Sequence, residues 1–180
     1  MKKKIWIILG IVLIVIAIII AIITHRKREI REFDFPKTVN VNNFSDSFRA
    51  DTIAMVITHL IMGYDTIYID IYNLDSKLST IGYDVIGFIQ RTGEPHSYQI
   101  FLRKTSSEFV MELLSHELIH LDQMEKGELF QPLGNKKYVI YKNDTIWFEK
   151  TPYYSRSYEI DAFSRQEKIE RQLKNLLYKK

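Results

Sequence analysis

The run from Leu113 to Gln123 reads LLSHELIHLDQ, and within it His116, Glu117 and His120 have the types and spacing of a metal site. On a helix, residues four apart share one face about 6 Å apart along the axis, so imidazoles at 116 and 120 reach one ion. Glu117, one position off that face, can take a proton from a water on such an ion without binding the ion itself. This is the H-E-x-x-H arrangement, with the histidines as zinc ligands and the glutamate as general base. The competing reading is an amphipathic helix that carries two half-buried histidines and a surface glutamate. Context favours the metal. The motif lies mid-helix, Thr105-Ser106-Ser107-Glu108 has the spacing of a capping box, and Val110, Leu114, Leu118 and Leu121 form a stripe that faces a core.

A catalytic zinc needs a third protein ligand and leaves its fourth position to water. The chain has no cysteine and no histidine after His120, so that ligand is a carboxylate or an upstream histidine. Upstream, His59 fits the polar edge of a helix and His96 a turn, ordinary surroundings for a solvated histidine. Downstream, a helix carries Asp122 and Glu125 away from the direction of the two histidines, Glu128 falls past Gly127 at the helix end, and Glu149 beyond a hairpin stays open as a candidate. Glu159 heads the inward stripe of the last helix, three residues before Ala162. A lone carboxylate is costly to bury there, and a cation opposite removes the cost. Asp161 points roughly 200° away from Glu159 and is expected behind the site or on the surface.

The motif His116-Glu117-Leu118-Ile119-His120, followed on a later helix by Glu159-Ile160-Asp161-Ala162, resembles the gluzincin group of zinc metallopeptidases, especially its small single-domain members. The resemblance implies one zinc ion held by His116, His120 and Glu159, Glu117 as general base, a minimal zincin core, and a peptide or protein substrate. The Glu-x-x-x-Asp spacing of many gluzincins is absent, because position 163 is Phe, so the resemblance names no carboxylate behind the ligands. The metzincin pattern fails, since His120 is followed by LDQMEK and not by a glycine and a third histidine. In the implied mechanism zinc brings the pKa of its water towards about 7 and polarises the scissile carbonyl, while Glu117 passes the water's proton to the leaving amine. Tyr153, Tyr154, Arg156 and Tyr158 are candidates to donate to the oxyanion, with packing as their alternative role. Two rival functions are a non-catalytic zincin-like domain that binds a partner, which leaves Glu117 without a purpose, and an amidase or endopeptidase acting on peptidoglycan.

The elements that position these residues show in the apolar periods. A helical period runs over 45–63 and stops at Gly63. Strand patterns follow at 66–72, 83–90 and 97–103, the latter two close enough for a hairpin. The strand at 97–103 is expected to be an exposed edge on which an extended peptide adds. The motif helix comes next, then a hairpin at 138–141 and 145–148, then a terminal helix whose stripe is Ala162, Gln166, Ile169, Leu173 and Leu176. The expected fold is α+β: a helix, a three-stranded mostly antiparallel sheet, the motif helix, a hairpin and a C-terminal helix.

This domain, read as residues 42–180, follows a basic start at 1–4, an apolar run at 5–24 and a linker at 25–41. Ile5 to Thr24 carries no charge and is long enough to cross the roughly 30 Å hydrocarbon core, so one transmembrane anchor is expected. A cleaved signal peptide fits less well, because the run exceeds the usual h-region of roughly 7–15 residues and Ala21-Ile22-Ile23-Thr24 lacks a small-x-small site. Lys2 to Lys4 on one flank balance Arg26, Lys27, Arg28 and Arg31 on the other, so the charge rule assigns no membrane side. These clusters supply much of the net charge of +3. No basic run is interleaved with aromatics, and nucleic acid is not an expected partner. The lack of cysteine excludes disulfides and thiolate ligands and suits either redox compartment.

Overall fold

A computed structural model of the chain describes residues 39–43, 50–74, 86–103, 107–132 and 137–178. The expected anchor at 5–24, positions 45–49 of the expected first helix and the expected cap residues Thr105 and Ser106 lie outside the described residues. Among the described residues, no helix is long and apolar enough to cross a membrane. Phe35–Leu173 is the larger of the two units into which the chain divides. The larger unit holds every residue of the site.

The fold is α+β. Strands β1 (Val39–Asn43), β2 (Ile67–Leu74), β3 (Gly87–Arg91) and β4 (Ser97–Arg103) form one sheet in the order β1-β2-β4-β3. β1 with β2 and β2 with β4 are parallel, and β3 with β4 is antiparallel. The sheet therefore has four strands, not three, and is mainly parallel, not mainly antiparallel. The reason lies in β1, which begins inside the stretch read as linker. Its sequence VNVNN carries three asparagines, a poor strand former, so no strand signal appears there. With β1 in place, the helical segment after it is the crossover that a parallel pair requires. β4 is paired on both sides and is not the exposed edge expected of it; among the described residues β3 pairs only with β4 and forms that edge.

Ile67, Ile69 and Ile71 of β2 and Tyr98, Ile100 and Leu102 of β4 are fully buried and alternate with more open neighbours, which marks one face of the sheet as core. Helix α1 (Ala50–Met55) continues as a π-helical segment, Val56–Ile61, whose Met62 N–H reaches the Ile57 carbonyl at 2.9 Å. Gly63, with φ +78°, closes it in the left-handed region, where a side chain would be strained.

Helix α2 (Ser107–Glu125) carries the motif. It ends in a double cap: Glu128 N–H bonds to the Gln123 carbonyl at 2.8 Å and Gly127 N–H to the Met124 carbonyl at 3.1 Å, with Gly127 at φ +69°. The expected apolar stripe is present, since Val110, Leu114, Leu118 and Leu121 are all 0% exposed. The burial goes much further, because every residue from Leu113 to Met124 is buried. Polar side chains on so enclosed a stretch need partners, and Ser115 Oγ, buried with none among the described residues, is the exception.

A second, antiparallel sheet joins β5 (Leu129–Phe130), β6 (Tyr138–Tyr141) and β7 (Asp144–Trp147). The expected hairpin is β6 and β7, turned by Lys142 and Asn143 at φ +48° and +72°, the twist of a two-residue type I′ loop. A short 3-10 turn, Tyr153–Ser155, leads into helix α3 (Ser157–Tyr178). Ala162, Ile169 and Leu173 of its stripe are buried and Gln166 is half-buried, while Leu177 is buried in place of Leu176.

Candidate metal centre

α2 sets His116 and His120 one turn apart, and α3 brings Glu159 to them from its first turn. His116 Nε2 lies 3.0 Å from Glu159 Oε2, His120 Nε2 lies 3.3 Å from the same oxygen, and the two Nε2 atoms are 3.2 Å apart. All three residues are buried, and among the described residues they form the group whose ligand atoms fit a single ion. Tetrahedral zinc with bonds of about 2.0–2.1 Å separates its ligand atoms by about 3.3–3.4 Å, close to these spacings. Two imidazole nitrogens and a carboxylate oxygen are also donors that suit zinc. The residues present thus fit a zinc ion in both spacing and chemistry.

The electrostatics agree. Burial alone would raise Glu159, but hydrogen bonds and charge from His116 and His120 outweigh it and bring its pKa down to about 2. Burial alone would lower His120, but the carboxylates of Glu159 and Glu117 and the contact with Gln123 raise it overall. The cluster attracts positive charge. Glu117 faces the other way in this balance: burial raises it most, the two histidines lower it, and Glu159 raises it further, leaving it raised. Its Oε1 lies 3.2 Å from the point where a Cβ on Gly87 would stand, so the edge strand β3 makes room for this carboxylate by having no side chain there.

Each histidine also has a partner on its far side. His120 Nδ1 is 2.8 Å from Gln123 Oε1, and His116 Nδ1 is 3.2 Å from Gln166 Oε1. Gln123 Nε2 donates to the Tyr158 carbonyl at 2.9 Å and to Asp161 Oδ2 at 2.8 Å, which places Asp161 behind His120 by way of an amide. Asp122 points elsewhere. It accepts from Tyr64 Oη at 2.7 Å and Lys126 Nζ at 2.7 Å and pairs with Arg165, which also reaches Asp161 at 3.3 Å.

The remaining candidates lie outside the cluster. His59 Nδ1 is 3.3 Å from the Tyr64 carbonyl oxygen, and His96, in a turn at φ +54°, pairs with Glu125 at 2.7 Å. Glu128 pairs with Lys142 at 3.7 Å. Glu149 is in the turn after β7 and is not part of the group. Of the four possible oxyanion donors, Tyr153 is pushed up by burial and by the charge of Glu159. Tyr158 is pushed up to about 12 by burial and the same charge. Arg156 is engaged by the Thr151 carbonyl at 3.2 Å and stacks 4.4 Å over the Phe148 ring, and Tyr154 is exposed.

Sequence reasoning overlooked the roles of Gln123, Gln166 and Gly87. Gln123 is three residues after His120 and Gln166 seven after Glu159, so helical spacing already placed each near its histidine. No signal in the sequence pointed to Gly87. Comparison with protein-family models, with curated proteins and with solved structures finds no match.

Proposed function

We propose that this chain is a zinc-dependent metallopeptidase with a minimal zincin-like domain, anchored to a membrane by residues 5–24. The observation that carries the reading is the convergence of His116 Nε2, His120 Nε2 and Glu159 Oε2 within 3.0–3.3 Å of one another, with Glu117 buried on the adjacent helical position. His116, His120 and Glu159 would hold the ion, which when bound supplies a Lewis acid that acidifies water and polarises a carbonyl. Glu117 accepts the proton of the attacking water and returns it to the leaving amine, and its burial, which raises its pKa, brings it nearer the range in which a carboxylate does both. Tyr153 Oη, beside Glu159, donates to the carbonyl oxygen as it gains charge. The substrate is a peptide or protein, laid as an added strand along β3, whose Gly87 lies against Glu117.

The test is metal analysis and cleavage of a denatured protein by the full-length chain, wild type against two variants. Wild type should hold one zinc and cleave. Glu117→Gln should keep the zinc and lose about a hundred- to ten-thousandfold in rate, the span of general base catalysis. Glu159→Ala should lose the zinc. Zinc bound without cleavage by the wild type would sink proteolysis, and full zinc affinity in Glu159→Ala would remove the third ligand.

A further inference from the structure

The two glutamines behind the histidines are not free to turn. Gln123 Nε2 donates to the Tyr158 carbonyl at 2.9 Å and to the Asp161 carboxylate at 2.8 Å, and both are acceptors. Turning the amide would set its oxygen against two other oxygens. The oxygen is therefore the atom that faces His120 Nδ1 at 2.8 Å. Gln166 is held in the same sense, because its Nε2 donates to Glu170 Oε1 at 3.0 Å and its Oε1 faces His116 Nδ1 at 3.2 Å. An amide oxygen can only accept, so in each ring the Nδ1 position suits an N–H.

We infer that Gln123 and Gln166 are positioning residues that hold the Nδ1–H groups of His120 and His116 and so commit the Nε2 atoms of both rings to the cation site. The inference rests on the metal reading above for its consequence, zinc affinity, and on hydrogen-bond geometry alone for the orientation of the rings. It also assigns a division of labour between the helices. α3 supplies Glu159 to the ion and orients both histidines of α2, His116 through Gln166 directly and His120 through the grip of Tyr158 and Asp161 on Gln123. Neutral amides do this without adding negative charge beside Glu159 and Glu117. Carboxylates in the same places would raise the basicity of the rings further than amides do.

The experiment is nuclear magnetic resonance of the full-length chain labelled with nitrogen-15 in its histidine rings, together with zinc affinity from chelator competition. In the metal-free chain at a pH where both rings are protonated, and in the zinc-loaded chain alike, the Nδ1–H protons of His116 and His120 should be observed and exchange slowly with water. Gln166→Met keeps the side-chain length and removes the acceptor at a half-buried position. It should speed exchange at His116 Nδ1 alone, leave His120 as it was, and weaken zinc binding by about ten- to a hundredfold. Fast exchange at either Nδ1 in the wild type, equal change at both histidines in the variant, or unchanged zinc affinity in a zinc-binding chain would overturn the inference. Slow exchange at both rings in a chain that binds no zinc would uphold the orientation and remove the metal reading instead.

Discussion

Replacing Gly87 by alanine tests whether the position of Glu117 matters to the chemistry. The added Cβ would lie 3.2 Å from Glu117 Oε1, 3.4 Å from Leu102 Cδ2 and 3.5 Å from the Phe101 carbonyl oxygen. The last two are ordinary contacts or nearly so, and the strand can stay where it is. The first is short by about 0.3 Å relative to a comfortable contact, and the carboxylate is the partner that can give way. If a misplacement of 1 Å costs about a hundredfold in rate, 0.3 Å costs about three- to tenfold. Gly87 is not in the left-handed region, so alanine brings little backbone strain and stability should move by less than about 1 kcal/mol. The assay compares three readouts on the full-length protein: turnover of a denatured substrate, zinc affinity, and the thermal midpoint. Turnover should fall by that factor while zinc affinity stays within about twofold and the midpoint hardly moves. An unchanged turnover, or a loss that tracks zinc loss or unfolding, would refute the proposal that β3 leaves room for Glu117 to act as general base.

Two further outcomes concern stability. Burial alone would raise the Asp122 carboxyl, but hydrogen bonds from Lys126, Tyr64 and Arg165 outweigh it and hold it below the ordinary carboxylate range. A lowered native pKa means stability that is complete above about pH 4 and is lost as the pH falls through the native value, so urea midpoints should drop in acid and Asp122→Asn should flatten that drop. An unaltered acid limb in the variant would place the pH dependence elsewhere. Leu118 is 0% exposed on α2 between the two histidines, and Leu118→Ala should cost about 2–5 kcal/mol in urea unfolding; a cost below about 1 kcal/mol would contradict the enclosure of this helix.

The approach of His116, His120 and Glu159 was legible because it depends on two short-range facts, the turn of a helix and the cost of a carboxylate on an inward stripe. β1 was not legible. Its valines and asparagines alternate too weakly to mark a face, and what makes it a strand is backbone pairing with β2, a contact made across a helix. The parallel order of the sheet follows from that pairing and was hidden with it. The full enclosure of α2 was hidden for another reason. His116, Glu117, His120, Asp122 and Gln123 look like an outward polar face, yet each is covered by a partner from another element, such as Tyr64, Gln166 and Arg165. Gly87 gave no warning, because a glycine in a strand does not say which side chain occupies the space it leaves.

The placement of Glu159 and Gln166 on α3 has a consequence for how the chain is made. The motif helix leaves the ribosome about forty residues before Glu159 does, which at about 5–20 residues per second is a wait of a few seconds. Through that interval the two histidines have neither the Glu159 carboxylate nor the hydrogen bonds from α3 that complete the cluster, and on the proposed reading a growing chain would hold no ion. The last helix thus decides when the cluster can close, by the order of the residues themselves.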